Sequence, residues 1–391
     1  MSAPEPRSLS ARPSSALQTR LALTIEAAAG WLPFDRFMAL ALYEPGLGYY
    51  SRGGRIFGEL PDSGSDFVTA PELSPLFGAA LARQVAQALQ AAQSGDILEF
   101  GAGSGALAEQ LLQALGEQVQ RYRIVDLSGA LRSRQAQRLA RWSHKLEWLQ
   151  QWPEQIDGVV LGNEVLDAMP VQLLHWDGRQ WWERGVAFAP QGGAAQSDSP
   201  QGGSAQGDLP LVWADRATAL RPPEAESFAP GTVTEIHPQA EAFIRGLAQR
   251  LRCGAAFFID YGFPQAEYYH PQRVEGTLVC HRAHRVDALP LQDVGDKDIT
   301  AHVNFSGIAL AGQDAGLEVL GYTSQAHFLI NCGLLDLLPA LQTAADARLL
   351  AGSQKLLNEH EMGELFKVIG FSRGISLDAL GFARGDRSHT L

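Results

Sequence analysis

The stretch DILEFGAGSGAL, residues 96–107, decides the fold expected for this chain. Its apolar first part, Asp96–Phe100, predicts a buried strand, and residues 105–115 predict a helix. Three glycines stand where the strand turns into the helix: Gly101, Gly103 and Gly105. Glycine suits a tight turn whose dihedrals are closed to other residues, and it lets a ligand approach the backbone. The stretch therefore predicts a nucleotide-like ligand at the carboxyl edge of a sheet.

The segments after this turn alternate between short apolar runs and amphipathic runs. Strands are predicted at residues 122–126 and 157–162, and a helix is predicted at 130–141. Later strands are expected at 255–260 and 317–321. The β-α-β-α-β order predicts an α/β fold with a doubly wound, mainly parallel sheet.

The length and the changing pattern predict a core with additions. At 391 residues the chain exceeds the size at which one core usually stops growing. From residue 171 the pattern becomes antiparallel, and it is interrupted by a Gly/Ser/Gln-rich segment that cannot pack a core. We expect a disordered tail at 1–20, an N-terminal helical and capping segment at 21–95, the first part of the core at 96–170, an antiparallel β insertion at 171–235 with a mobile tip at 189–210, and the remaining core sheet with C-terminal helices at 236–391.

Composition and charge exclude several functional classes. The chain has 31 Lys and Arg against 43 Asp and Glu, a net charge of −12 that disfavours a general nucleic-acid binder. Its cysteines stand far apart, without the spacing of a zinc or redox pair: Cys253, Cys280 and Cys332. They indicate a reduced compartment, and no apolar run is long enough to span a membrane. We therefore expect a cytoplasmic protein.

The first twenty residues allow two interpretations. Residues 1–20 contain Arg7, Arg12 and Arg20, several serines and a single acid, Glu5. This composition also occurs in transit peptides. We favour an untethered polar tail.

The glycine turn alone does not identify its ligand. Read as G-x-G-x-x-A, it suits a dinucleotide, and read as E-x-G-x-G-x-G, it suits S-adenosylmethionine, with Glu99 as the acid. A glycine-rich turn that binds nothing is the third interpretation. Asp126, at the end of the next predicted strand, is expected to accept hydrogen bonds from ribose hydroxyls.

A second group of polar residues follows the strand DGVVLG as NEVLDAMP, residues 163–170. Because strand ends face the ligand crevice in a doubly wound sheet, Asn163 and Glu164 should point at the ligand. Asp167 lies three residues further, about one turn away if the segment is helical. Two acids beside a cationic donor suit a cationic acceptor such as a guanidinium group. The alternative is a helix cap with a surface acid.

Seven motifs in order resemble the MidA-like family of class I S-adenosylmethionine-dependent methyltransferases. They are LYEPGLGYY (42–50), SDFVTAPELSPLFG (65–78), EFGAGSGAL (99–107), NEVLDAMPV (163–171), IDYGF (259–263), GTLVCHRAHRV (276–286) and DITAHVNF (298–305). The mitochondrial member of this family is a protein arginine methyltransferase needed for complex I assembly. Two departures are Ser65, where the family usually has Gly, and Asn304, where it usually has Asp.

The resemblance implies a role for particular residues. Glu99, Gly101, Gly103, Gly105, Asp126, Leu127 and Asn163 would bind the cofactor S-adenosyl-L-methionine, whose product is S-adenosyl-L-homocysteine. The turn at 66–72 would close over it through Asp66, Phe67, Thr69 and Pro71, and Tyr50 would form part of the roof. Glu164, Asp167 and His302 would sit at the methyl-transfer centre. His281 and His284 have no third partner at metal spacing, so no metal is expected.

The resemblance also implies the reaction and its partners. We expect methyl transfer to an arginine side chain of a partner protein, with a subunit of respiratory complex I as the candidate. The alternatives are an NAD(P)-dependent oxidoreductase and a non-catalytic assembly factor that retains the fold. Apolar C-terminal helices predicted between 334 and 357 would allow a homodimer.

Overall fold

A computed structural model describes residues 15–52, 69–126, 129–190, 210–223, 228–282 and 285–391. The first fourteen residues, most of the predicted mobile tip, and Asp66, Phe67, Leu127 and His284 lie outside the described residues. None of the helices in the described ranges combines the length and the apolar character needed to cross a bilayer.

The described residues form twelve α-helices and sixteen strands. The helices are α1 (Ser15–Ala27), α2 (Phe34–Tyr43), α3 (Ala70–Leu73), α4 (Pro75–Ala92), α5 (Ala106–Leu115), α6 (Gly129–Arg138), α7 (Pro238–Arg250), α8 (Gln265–Tyr268), α9 (Phe305–Asp314), α10 (Gln325–Asn331), α11 (Ala344–Leu357) and α12 (Met362–Leu365). The strands are β1 (Leu32–Pro33), β2 (Asp96–Phe100), β3 (Arg121–Val125), β4 (Leu146–Leu149), β5 (Ile156–Asn163), β6 (Gln172–Trp176), β7 (Trp181–Phe188), β8 (Leu211–Ala217), β9 (Val233–Ile236), β10 (Leu251–Phe263), β11 (Val279–Arg282), β12 (Arg285–Asp287), β13 (Asp298–Thr300), β14 (Val303–Asn304), β15 (Glu318–Ser324) and β16 (Phe366–Arg373).

The central sheet has the strand order β15-β16-β10-β5-β2-β3-β4, with β14 beside the end of β10. Its strands from β10 to β4 are parallel, so the predicted doubly wound, mainly parallel sheet is confirmed. β16 runs antiparallel to both of its neighbours. In the dinucleotide-binding order 3-2-1-4-5-6 the last strand of the chain lies at the edge of the sheet, whereas β16 lies between β10 and β15, and this difference distinguishes the two sheets.

Helices cover both faces of this sheet, as the apolar strands require. On β10, Phe257 packs towards Phe328 and Phe382 on one face, while the next residue, Phe258, contacts Phe243 on the other. Successive side chains of a strand point to opposite faces, so a continuous apolar run is needed where both faces are buried. The two resulting cores contain α4, α5 and α10 on one side and α7 and α9 on the other.

A second lobe is built from the N-terminal helices and the predicted insertion. Strands β6 to β9 form an antiparallel sheet, and β1 pairs with β7. A small sheet of β11, β12 and β13 adds to this lobe. The predicted boundary of the tail at residue 20 is wrong, because α1 begins at Ser15. Leu17 and Leu21, one helical turn apart, are both buried in the lobe's core.

Candidate active site

A cavity of about 680 Å³ opens at the carboxyl ends of β2, β3, β5 and β10. The second lobe contributes Tyr43 and Tyr50 to its wall, and the core sheet contributes the glycine turn and the ends of its strands. This is the edge at which doubly wound folds bind their ligands. Its volume lies within the range of about 300 to 1,000 Å³ that is usual for ligand pockets.

The glycine turn needs glycine for conformation and for space. Gly101, Gly103 and Gly105 have φ angles of +63°, +54° and +82°, which side chains rarely adopt. A Cβ on Gly101 would also lie only 3.1 Å from Cγ2 of Val165. Gly101 and Gly103 line the cavity, while Gly105 precedes the first residue of α5.

Two acids flank this turn. Glu99 is 2% exposed and accepts a hydrogen bond of 2.6 Å from the Tyr122 hydroxyl. Burial raises the pKa of Glu99 to about 7, against the opposing effect of that hydrogen bond. Asp126 accepts a hydrogen bond of 2.8 Å from Nε2 of Gln135, and the same atom donates to the Gly103 carbonyl oxygen at 3.0 Å. Gln135 thus fixes Asp126 relative to the glycine turn.

Glu164 occupies a strained position at the end of β5. Its φ of +54° lies in the left-handed region, which is uncommon for a residue with a side chain. Its carboxyl group lines the cavity and accepts hydrogen bonds from Nδ2 of Asn163, at 2.9 Å, and from the Ala70 N–H. Burial, together with the nearby Asp167, raises the pKa of Glu164 to about 8 despite these hydrogen bonds.

Asp167 lies beside Glu164 on the same wall, as the sequence predicted. It is 4% exposed, and burial raises its pKa to about 6, while the Tyr261 hydroxyl favours its charged form. Oδ1 of Asp167 and Oδ1 of Asn163 are buried and have no hydrogen-bond partner. Because buried polar atoms are normally paired, these two acceptors fit a ligand that donates hydrogen bonds.

A short helix joins the glycine turn to the acids. Thr69, which precedes α3, and Pro71, which lies in α3, line the cavity. The Ala70 N–H donates a hydrogen bond to the Glu164 carboxyl group. Glu72 of the same helix accepts hydrogen bonds from the Ser104 hydroxyl and from Nη1 of Arg138. The Arg138 guanidinium also donates to Ser104 and to Glu109, so it ties α3 to the glycine turn and to α5.

Two stacked tyrosines form part of the roof. The rings of Tyr43 and Tyr50 lie 5.6 Å apart, and the Tyr43 hydroxyl donates to the Ala168 carbonyl oxygen at 2.7 Å. The Tyr50 hydroxyl lies 2.9 Å from both carboxylate oxygens of Asp298, which is a further acid on the cavity wall. Sequence reasoning missed Asp298, although it is the first residue of the quoted motif DITAHVNF.

His302 does not reach the cavity wall. Its ring stacks on Phe263 at 5.1 Å and meets the edge of Tyr261, and its Nδ1 faces the Thr277 carbonyl oxygen. Burial lowers its pKa to about 4. A neutral, packed imidazole behind Tyr261 does not support the predicted catalytic role. His281 lines the cavity instead.

Most of the predicted site residues face this one cavity. The described ones that line it are Tyr50, Thr69, Pro71, Glu99, Gly101, Gly103, Asp126, Asn163, Glu164 and Asp167. Their individual roles stay predictions.

The cavity wall is strongly acidic. Five carboxyl groups line it: Glu99, Asp126, Glu164, Asp167 and Asp298. Among the described lining residues there is no Lys or Arg. Carboxylates that share one wall repel each other when they are ionised, so the wall suits a positively charged ligand.

Comparisons with known proteins agree with this geometry. The family model of S-adenosyl-L-methionine-dependent methyltransferases matches residues 80–323. The Danio rerio protein arginine methyltransferase NDUFAF7, mitochondrial, is 25% identical over 87% of this chain and 83% of its own length. The Homo sapiens protein of the same name is 27% identical over 86% of this chain and 79% of its own length.

A solved structure is more similar. A COG1565 superfamily protein from Burkholderia thailandensis, crystallised with S-adenosyl-homocysteine, is 50% identical, with a TM-score of 0.87 over 96% of each chain. A native crystal structure of a protein of this superfamily, from the same organism, is 49% identical, with a TM-score of 0.82. The predicted cofactor is therefore confirmed, and the nicotinamide alternative is not supported. The chain belongs to the MidA-like family of S-adenosyl-L-methionine-dependent methyltransferases.

Proposed function

We propose that this enzyme methylates a guanidinium nitrogen of an arginine side chain in a partner protein. The observation that carries the proposal is the wall of five carboxyl groups without a lining Lys or Arg in the described part of the chain. Such a wall favours a cationic acceptor beside a cationic donor. The names of the animal relatives, which are protein arginine methyltransferases, support the same acceptor class.

The cofactor, when bound, supplies a methyl group that is already activated by its sulfonium. We propose that Gly101 and Gly103 let its methionine part approach the backbone, and that Asp126 holds its ribose. Glu99 and Asn163 complete this end of the cavity. Thr69 and Pro71 exclude water from above, which strengthens every electrostatic interaction inside.

Glu164 and Asp167 are the groups that would hold the acceptor. Their carboxylates accept hydrogen bonds from two sides of a planar guanidinium, which fixes the attacking nitrogen in line with the donor. The nitrogen loses a proton after transfer. Burial raises the pKa of Glu164 to about 8. Glu164 is better placed to take this proton than His302, because Glu164 lines the cavity and His302 does not.

The identity of the partner is a further part of the proposal. A respiratory complex I subunit is suggested by the family resemblance, and a homodimer through the C-terminal helices between 334 and 357 stays a prediction. The animal relatives are named as mitochondrial proteins, while the Burkholderia structures are of bacterial proteins. The comparisons therefore do not support the predicted cytoplasmic location.

The decisive experiment compares Glu164→Gln with the wild-type enzyme. We expect S-adenosyl-homocysteine affinity within about twofold and a loss of arginine-peptide methylation of at least about 10²-fold, because an acceptor-holding charge is removed. Glu241→Gln is the matched control, since burial raises its pKa too, yet it lies outside the cavity wall.

Two results would contradict the proposal. Unchanged turnover in Glu164→Gln removes this residue from the reaction. Partner binding that is indifferent to the cofactor, with no methylated arginine found by mass spectrometry, favours the non-catalytic assembly factor.

A further inference from the structure

The turn that carries Glu164 and Asp167 is held by a residue outside the cavity wall. β5 and β10 pair in parallel as far as Asn163 and Ile259, and the Glu164 N–H still donates to the Ile259 carbonyl oxygen at 2.8 Å. Beyond this point the chain leaves the sheet. The next three N–H groups therefore need other acceptors.

Asp260 supplies that acceptor. Its Oδ2 accepts hydrogen bonds from the N–H groups of Val165, Leu166 and Asp167, at 3.1, 2.8 and 3.3 Å. The side chain is 1% exposed, and it is not among the residues that line the cavity. One carboxylate oxygen thus takes the whole set of N–H groups that the end of the sheet leaves unpaired.

The strained backbone of Glu164 needs such an anchor. A residue with a side chain persists in the left-handed region only when its surroundings fix it there. At Glu164, where φ is +54°, the fixed points are Ile259 on one side and Asp260 on the other. Both belong to β10, so this strand decides where the two acids point.

We propose that Asp260 is a positioning residue, whose carboxylate holds turn 164–167 so that Glu164 and Asp167 face the acceptor. This inference rests on the proposed function for its effect on turnover. It adds a role for the motif IDYGF, to which the sequence assigned none.

A graded pair of variants tests the role. Asp260→Ala removes the common acceptor, and we expect kcat to fall by about 10²-fold, because small misplacements of reacting groups are that costly. Asp260→Asn keeps only one acceptor oxygen, whereas Oδ1 of Asp260 also accepts from the Tyr261 N–H at 3.0 Å, so kcat should fall by about tenfold. The affinity for S-adenosyl-homocysteine should stay within about threefold in both variants.

Glu235→Gln is the matched control. Glu235 is a fully buried carboxylate that accepts hydrogen bonds from the N–H groups of Thr277 and Leu278, at 2.8 and 3.1 Å. It lies outside the cavity wall. If Asp260 only stabilised the fold, Asp260→Asn and Glu235→Gln would both lower Tm and leave kcat unchanged.

Hydrogen exchange measures the turn without relying on activity. In Asp260→Ala, or in Asp260→Asn if the alanine variant does not fold, the amides of residues 165–167 should exchange at least about tenfold faster than in wild type and in Glu235→Gln. Unchanged exchange, or a kcat for Asp260→Asn equal to that of Glu235→Gln, overturns the role of Asp260. A third outcome separates the two proposals. If exchange is faster in the Asp260 variants but neither they nor the wild type methylates an arginine peptide, the proposed function is wrong and the role of Asp260 in holding the turn is retained.

Discussion

At the scale of single residues, the acids of the cavity lie where burial disfavours their charged forms. Burial raises the pKa values of Glu164, Asp167 and Glu99 to about 8, 6 and 7. Burial and the neighbouring acids also raise the pKa of Asp260, against its backbone hydrogen bonds. A cationic ligand stabilises the charged carboxylates and therefore lowers their pKa values. Ligand binding is in this way coupled to the release of protons.

The stability of the ligand-free protein should fall with rising pH. The pKa of Glu164 is about 8 in the folded chain against an ordinary value of 4.5, so only the folded chain keeps this proton between those values. The free energy of unfolding therefore decreases as the pH rises through this window. Glu164→Gln removes the part of this dependence that comes from Glu164. The stability of the variant relative to wild type should therefore increase by about 1 kcal/mol or more between pH 5 and pH 9. Urea unfolding at both pH values measures it, and a pH-independent difference would contradict it.

The glycine turn predicts a loss of cofactor binding in Gly103→Val. The side chain would be strained at a φ of +54° and would stand on the cavity wall. We expect the Kd of S-adenosyl-homocysteine to rise at least about tenfold, which calorimetry can measure. Gly116→Val is the control, because Gly116 has the same φ of +54° and lies outside the wall. Equal losses in both variants would mean that the effect is on folding alone.

At the scale of elements, the four-residue helix α3 couples the two ends of the cavity. It contacts the glycine turn through Glu72 and the acceptor side through the Ala70 N–H. Gln110 of α5 adds a hydrogen bond of 2.7 Å to the Pro71 carbonyl oxygen. A helix this short is stable only through such tertiary contacts.

Arg138→Ala should therefore weaken cofactor binding. It removes the guanidinium that joins Glu72, Ser104 and Glu109. We expect the Kd of S-adenosyl-homocysteine to rise by about three- to tenfold, because the turn and α3 lose their common partner. Arg141→Ala is the control, since Arg141 packs over the Trp142 ring, 4.9 Å from its centroid. Equal affinities in the two variants would contradict the coupling.

The elements also show what the sequence could and could not predict. β2 and the site could be predicted from the mostly apolar run Asp96–Phe100 and the glycines that follow it. A strand, a turn and a helix in succession are recognisable from the local pattern of apolar residues and glycines. The antiparallel direction of β16 depends on tertiary pairing, and no local pattern carries it. β4 was missed because LEWL is short and mixed in polarity. The role of Asp260 could have been suspected from an acid directly after the apolar run AAFFI.

At the scale of the whole molecule, the cavity lies where the two lobes meet. The core sheet provides Gly101, Glu164 and Asp167, and the second lobe provides Tyr43, Tyr50 and Asp298. The N-terminal segment is attached to the insertion sheet, since β1 pairs with β7. The roof tyrosines are therefore positioned by a lobe that is remote from the glycine turn in sequence.

Trp31 should be a main stabilising contact within this lobe. It is 9% exposed, its Nε1 donates to the Ala214 carbonyl oxygen at 2.7 Å, and the Arg216 guanidinium packs over its ring. Trp31→Ala should reduce the free energy of unfolding by about 3 to 5 kcal/mol, because it leaves a cavity and an unpaired carbonyl. Denaturant unfolding measures this loss. A loss below about 1 kcal/mol would show that β1 is held by backbone pairing alone.

The five-carboxyl wall treats spent and fresh cofactor differently. The methyl donor carries a positive sulfur, whereas the thioether left after transfer is neutral at that atom. We therefore expect the wall to bind the donor more tightly than its by-product, which lacks both the methyl group and the positive charge. Such a difference in affinity would favour the exchange of spent cofactor for fresh cofactor after each turnover.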